Sequence, residues 1–363
     1  MTCVETEFAS VETVLVEAVD GFQLTIEHFS SRTDRPPVVL CPGFGGNRFN
    51  FDLDENHSLA RYLDKEGFDI WTVELRGHGR SQFKADSLIR GHVPDWNMDD
   101  HIEKDVPAIL DAITKLTAHR KLIWIGHSLG GMVVYCLLAR YPEFARFFVG
   151  LITIGSPGHV ERKGGKLIAA AMLSLLSLKR QGGLPTRPLM RILFSPAAQR
   201  IGLKRLWRLW LNPDNMDRAV LQSTMRLGTE NFSPGILRQW LASMRMRSLI
   251  SSDGSFDYFQ KMNKVDIPVL FIGGTVDRLA PVSSINAVYD RVQSLDKRMR
   301  IFGKRGFELM AGSSPKQRSD KVDYGHDDLL LGEASYSEVF PYIARWIEEH
   351  QEMGLRGGEG YEF

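Results

Sequence analysis

Residues 124–131 read Trp-Ile-Gly-His-Ser-Leu-Gly-Gly, and the reading of the whole chain turns on them. The apolar run Leu122-Ile123-Trp124-Ile125 has the look of a buried strand, and Met132 to Arg140 that of a helix. Between them Gly126-His127-Ser128-Leu129-Gly130 fits G-x-S-x-G, with one serine at the point where strand becomes helix. A serine on so tight a turn takes a strained backbone, and flanking glycines let neighbouring elements approach closely. Its hydroxyl then stands at the sheet edge above a helix N-terminus, where negative charge is favoured. Five residues alone would equally fit a glycine-rich β–α turn with an incidental serine. The strand before and the helix after favour a nucleophile.

Working outward, Val11–Val19 and Phe22–Phe29 alternate around Asp20-Gly21, the signal of a hairpin with a two-residue turn. Val38-Val39-Leu40 is a short buried-type strand, followed by a helix over 56–66 that stops at Gly67. Phe68 to Leu75 reads as a strand, 98–117 as an amphipathic helix, and Val149 to Ile154 as a strand after the serine helix. The alternation stops near Ser156-Pro157-Gly158 and returns with the strand Ile267-Pro268-Val269-Leu270-Phe271-Ile272. A helix over 282–294, a strand over 298–302 and a helix over 334–350 complete the pattern, leaving a loose tail over 354–363. Strands alternating with helices predict an α/β fold with a mostly parallel, doubly wound sheet of about eight strands and an antiparallel opening edge. Residues 1–156 and 266–363 then form the core. Residues 157–265 form an inserted helical cap over the C-terminal sheet edge, where such sheets bind ligands.

A serine is a poor nucleophile at neutral pH and needs a base, which in turn needs an orienting acid. The elbow pattern expects them in the order Ser, acid, His. Asp277 lies just past the strand ending at Ile272, whereas Asp253, Asp257 and Asp266 precede it. His326, in Asp323-Tyr324-Gly325-His326-Asp327-Asp328, sits between the last strand and the last helix, where a loop can carry imidazole back over the serine. His28 and His119 fall on elements as surface or packing residues, and His127 is expected to point away from the site. Asp327 and Asp328 read as loop or helix-start charges. An oxyanion site needs two backbone N–H groups. Leu129 supplies one candidate, and Phe44, in Cys41-Pro42-Gly43-Phe44-Gly45-Gly46, the other.

On these residues the chain resembles the α/β-hydrolase superfamily, over most of its length apart from the cap. The stretches that carry the likeness are PGFGG (42–46), GHSLGG (126–131), GGTVD (273–277) and YGHDDLLLG (324–332). The segments 58–81, 94–110 and 323–332 resemble its acid-lipase and polyhydroxyalkanoate-synthase-like branch. The resemblance implies hydrolysis of a carboxylic ester through an acyl-serine, with no metal or organic cofactor, and Ser128, Asp277 and His326 match the family's catalytic positions. Two departures stand out. Pro42-Gly43 replaces the His-Gly of many relatives at the oxyanion loop. Ser128 stands where the polymer synthases carry cysteine, which favours hydrolysis over polymer synthesis. The elbow also lacks the aspartate of the dehalogenase and epoxide-hydrolase relatives. Acyl transfer and thioester cleavage on the same three residues are the alternatives, with a non-catalytic binding module as the third.

Composition narrows the rest. The chain has 363 residues, 43% hydrophobic and 25% charged, and its net charge of +1 gives no support to a nucleic-acid partner. Cys3, Cys41 and Cys136 form no metal-type or disulfide-type spacing, which fits a reducing compartment. The N-terminus lacks the basic start and apolar core of a signal peptide, and the apolar stretch Leu167 to Leu178 is too short for a span. A cytoplasmic protein is expected, with peripheral attachment to a membrane as the alternative. Residues 161–210 carry eleven Lys and Arg against the single acid Glu161. Interleaved with Leu206-Trp207-Arg208-Leu209-Trp210, they suggest either a solvated helix face or a surface for anionic lipid or an acidic substrate. Met172, Leu173, Leu175 and Leu176 are candidates to line a pocket for a hydrophobic acyl-ester substrate.

Overall fold

The strand that feeds Ser128, β6 (Leu122–His127), lies near the middle of one large sheet. The structure is a computed structural model and describes residues 11–29, 34–83, 95–158, 186–195 and 204–356, with backbone alone at 204–205 and 352–356. The other strands are β1 (Val11–Glu17), β2 (Phe22–Phe29), β3 (Val38–Cys41), β4 (Ile70–Glu74), β5 (Gln82–Phe83), β7 (Phe148–Ile154), β8 (Val269–Gly274), β9 (Lys297–Phe302), β10 (Phe307–Met310) and β11 (Lys316–Gln317). Their order is β1-β2-β4-β3-β6-β7-β8-β9-β10-β11, with β5 beside β2. From β4 to β9 neighbouring strands are parallel, and the strands at both ends are antiparallel. Among the described residues the sheet thus has eleven strands, not about eight. The additional ones are short edge pieces, β5, β10 and β11, with too little alternation to be seen in sequence.

Side chains alternate along the parallel strands between two cores. Leu122 and Trp124 point into one, Ile123 and Ile125 into the other; Val269 and Phe271 against Leu270 and Ile272 repeat the division. Strands buried on both faces read as unbroken apolar runs, which is why they were visible in sequence. The helix Leu129–Arg140 packs on the first face and the helix Phe340–Arg356 on the second. Gly150 leaves the space that the Trp346 ring occupies. The chain steps from β3 outward to β4 and then returns to the far side of β3 as β6. That reversal opens a crevice at the C-terminal ends of β3 and β6, the place where such sheets bind ligands.

Several boundaries move. The hairpin turns through Val19-Asp20-Gly21, with Ala18 N–H donating to Phe22 O at 2.8 Å and Gly21 at φ 80°, so the two-residue turn is lengthened by one. The helix expected over 56–66 runs Leu59–Lys65, capped by Ser58 Oγ accepting from Arg61 N–H. The last helix continues to Arg356, into what read as tail. The described part of the insertion has no core of its own: Phe194, Trp207, Leu211 and Leu221 belong to the second cluster, and Ile236, Leu249 and Tyr258 to the first. Trp207 is no interface residue. It is buried, stacked on Phe194 with ring centroids 5.2 Å apart, and its indole N–H donates to Leu193 O. Leu167 to Leu178, the four proposed pocket residues among them, and Cys3 lie outside the described residues. No helix among the described residues is long and apolar enough to cross a membrane.

Candidate active site

Ser128 adopts φ 50°, ψ −117°, a conformation costing of order 1–3 kcal/mol for a residue with a side chain. The surroundings hold it there. Its N–H donates to Ile154 O at the end of β7, and its carbonyl accepts from Gly131 and Met132 N–H. The flanking glycines serve close approach, not backbone freedom. A Cβ on Gly126 would fall on the backbone of Gly130 and Gly131, and one on Gly130 on the carbonyl oxygens of Cys41 and Pro42. The loop after β3 therefore lies directly against the first turn of the serine helix. A Cβ on Gly43 would come within 3.0 Å of Ser128 Cβ. This juxtaposition brings the Phe44 segment and the buried Leu129 to the same end of the crevice.

Asp277 and His326 meet. His326 Nδ1 and Asp277 Oδ2 are 2.8 Å apart, both side chains are buried, and the other carboxylate oxygen accepts from Leu279 and Ala280 N–H at 2.8 Å. The acid is thus fixed by its own loop and the imidazole by the acid. Burial lowers the proton affinity of His326, but the neighbouring Asp277 carboxylate and its hydrogen bond, with Asp327 and Asp328 behind, outweigh it and raise the pKa. The two loops touch along their backbones: Val276 N–H donates to Tyr324 O, and Gly274 has no room for a side chain beside that carbonyl. Gly155, at φ 58° just past β7, lies under the pair, where a Cβ would sit 3.0 Å from His326 Nδ1. Ile154 holds Ser128 and Gly155 adjoins His326, so the end of β7 joins the two halves of the site.

His127 does not point away. Its ring lies 4.7 Å from that of His326, and Nε2 is 3.3 Å from His326 O. Burial and the His326 charge depress its pKa well below the usual imidazole value, so it stays neutral. The donor atoms of His127, His326 and Asp327 lie within 4.8 Å of one another, the one group among the described residues able to hold an ion. An ion there would compete for His326, whose Nδ1 is already engaged by Asp277. His28, by contrast, is a packing residue, stacked on Trp71 and bonded to Asp69.

The insertion touches the site at two places that sequence reading missed. On one side Glu230 N–H donates to Gly45 O at 2.8 Å, Asn47 Nδ2 donates to Leu227 O and Glu230 Oε1, and the Phe232 ring lies over Gly45 and 4.2 Å from Phe44. On the other, Trp210 O accepts from both His326 and Asp327 N–H at 2.9 Å. Asp328 is not a solvated charge: it is fully buried and accepts from Asn212, Asn215 and Gly325. The signal available was Asn212-Pro213-Asp214-Asn215, a turn sequence inside the insertion, but nothing local says what a turn will face. Of the basic stretch, Arg187 and Arg191 point at the carbonyls of Met225 and Arg226 at the end of the helix Arg218–Leu227, a helix C-terminus that favours cations. Most of the other basic residues lie outside the described residues.

This sheet order, with a serine turn after β6, an acid after β8 and a histidine before the last helix, defines the α/β-hydrolase fold. A family model of that fold matches residues 36–170. An esterase of Thermogutta terrifontis superposes with a TM-score of 0.58 at 15% identity, covering 94% of this chain and 99% of its own. The chain thus has the α/β-hydrolase fold, and its likeness to that superfamily's model covers residues 36–170. Sterol esterase 2 of Saccharomyces cerevisiae is 29% identical over 129 residues, which are 33% of this chain and 24% of that one. The poly(3-hydroxyalkanoate) polymerase subunit PhaC of Haloferax mediterranei is 20% identical over 349 residues, 92% of this chain and 63% of that one. The chain thus spans only about a quarter of the sterol esterase's length.

Proposed function

We propose that the chain is a serine ester hydrolase whose substrates carry a hydrophobic acyl group. The observation that carries this reading is the buried Asp277–His326 pair at the sheet edge that also bears Ser128 on its strained turn. In the proposed cycle His326 Nε2 takes the proton of Ser128 Oγ as it attacks the ester carbonyl, and Asp277 keeps the proton of Nδ1 in place. Phe44 and Leu129 N–H groups hold the developing oxyanion, helped by the N-terminus of the serine helix. The alcohol leaves with the proton from His326. Water, deprotonated by the same imidazole, then releases the acid and restores Ser128. The raised pKa of His326 suits this role, since the imidazolium formed in each step is stabilised by Asp277.

The hydrophobic acyl group is supported by the aromatic pair Phe44 and Phe232 beside the expected oxyanion loop, and by the relative named as a sterol esterase. Hydrolysis of a p-nitrophenyl ester series from acetate to palmitate tests it. The expected outcome is a rise in kcat/KM with chain length, lost in Ser128→Ala. A flat or falling series would remove the hydrophobic pocket from the proposal. Acyl transfer on the same residues is the second reading, favoured by the likeness to a polymerase subunit over most of this chain. An added alcohol acceptor decides between them by the fraction of acyl group that it captures.

A further inference from the structure

The chain between β7 and β8 holds the histidine loop. The stretch from Trp210 to Asn215 lies along the turn that carries His326. Trp210 O takes the N–H of His326 and of Asp327, and Asn212 Nδ2 donates to Asp323 O at 2.7 Å. The junction is the Asp328 carboxyl. One oxygen accepts from Asn212 N–H at 2.8 Å, the other from the Asn215 amide at 3.1 Å, and both accept from Gly325 N–H at 3.0 and 3.1 Å. Asn215 is pinned in turn, its carbonyl accepting from Glu333 N–H and its side-chain oxygen from Ala334 N–H. Gly325 has no space for a Cβ against Leu211 and Asn212. Apart from its own N–H, the groups bonded to the Asp328 carboxyl thus come from the turn preceding His326 or from the 210–215 strap. A fully buried carboxyl so placed is costly to bury and gains nothing from solvent.

We infer that Asp328 is a positioning residue, which fastens the 210–215 strap to the 323–328 turn and so sets the backbone from which His326 reaches the serine. It touches no reacting atom; beside its charge, which helps to raise the His326 pKa, it acts through Gly325, Asn212 and Asn215. The inference rests on the serine-hydrolase reading for its catalytic consequence, though not for its geometry.

The test uses the full chain and an exchange of donor and acceptor. Asp328→Asn sets an amide N–H against the Asn215 amide, and Asn215→Asp sets two carboxyls together. In the double variant Asp328→Asn/Asn215→Asp the amide donates to the carboxyl again, while its oxygen still accepts from Asn212 and Gly325. Two quantities are read in each: the rate at which a fluorophosphonate labels Ser128, and the far-downfield proton resonance of His326 Nδ1–H. Each single variant is expected to slow labelling about tenfold, the scale of a modest misplacement of a catalytic group, and to shift or broaden the resonance. The double variant is expected to recover both. A merely structural role would lower the melting temperature and leave the resonance of the folded protein in place. Asn215→Ala, which removes one donor without adding a charge, replaces any single variant that does not fold. Unchanged labelling and an unchanged resonance in the folded single variants, or a double variant no better than the singles, would overturn the inference. Failure of the wild type to label overturns the hydrolase reading instead, and the resonance then decides the positioning role by itself.

Discussion

The serine turn and the histidine loop are built in opposite ways. Ser128 is held by the central strands and what directly adjoins them: its N–H meets Ile154 O, its carbonyl accepts from the first turn of the serine helix, and Gly126 and Gly130 let that helix close on β6 and on the loop after β3. His326 is held by distant chain: Asp277 from the far side of the insertion, Trp210 O from within it, and the Asp328 junction to Asn212 and Asn215. The first is a short-range construction of backbone and missing side chains. The second is a long-range one of hydrogen bonds between segments. Changes in the insertion are therefore expected to leave the serine turn in place, whereas loss of the strap is expected to leave the histidine loop held from the Asp277 side alone.

The variants that probe this contrast fall in order of expected effect. Ser128→Ala should lower kcat by about 10⁴-fold or more while leaving thermal stability near that of the wild type, since alanine keeps the Cβ and the same strained backbone. Asp277→Asn should lower kcat by about 10³–10⁴-fold with little change in KM, because the imidazole then loses its orientation and the partner of its charged form. Steady-state kinetics on a soluble ester reads both. If Asp277→Asn costs no more than a few-fold, the acid belongs to the fold and not to the reaction.

Gly130→Ala tests the short-range half. The added methyl would fall on the Cys41 and Pro42 carbonyls, so the serine helix and the oxyanion loop must separate. A loss of about 1–3 kcal/mol in stability, with a fall in activity exceeding that of any surface control, is expected from urea unfolding and kinetics. Gly45→Ala tests contact with the insertion: φ is 70° and the Phe232 ring occupies the space. Here a smaller stability loss, of about 1–2 kcal/mol, should accompany a selective loss of kcat with long acyl chains.

The smallest effects are in pH. Because the Asp277 interaction outweighs burial and raises the His326 pKa, the neutral imidazole that acts as base is lost as pH falls through a value above the usual one. The acid limb of kcat/KM should therefore lie above about 6.5, and Asp277→Asn should move it down. Asp328 behaves inversely in stability. Burial pushes its carboxyl up to about 7, against the pull of its N–H donors, so the folded protein keeps a proton that the unfolded chain gives up near the ordinary value of 3.8. That contribution is fully present below about pH 4 and is lost as pH rises to about 7. Asp328→Asn should flatten this part of the unfolding midpoint against pH.

The same contrast explains what the sequence disclosed. The turn Gly126-His127-Ser128-Leu129-Gly130 was legible because local sterics dictate it, and the place of Asp277 because it follows the apolar run of β8. His326 was picked out by its place before the closing helices, since β9, with charges at 297, 298 and 300, is a weaker signal. The other apolar parallel strands were legible for the same reason as β8. The edge strands β5, β10 and β11 were not, being short and partly exposed with little periodicity. The placement of His127 against His326, the buried state of Asp328 and the burial of Trp207 were also hidden. Each depends on a partner outside its own element: His326 for His127, Asn212 for Asp328, Phe194 for Trp207. A residue's type states what it can bond to, and only the fold states what it meets.

The chemistry itself is tested most directly by locating the covalent bond. The wild-type chain treated with a fluorophosphonate, digested and mapped by mass spectrometry, should carry the phosphonyl group on Ser128, and labelling should slow by orders of magnitude in His326→Ala. A group found on any other residue, or a Ser128 that labels equally fast without His326, would contradict a serine activated by the Asp277–His326 pair.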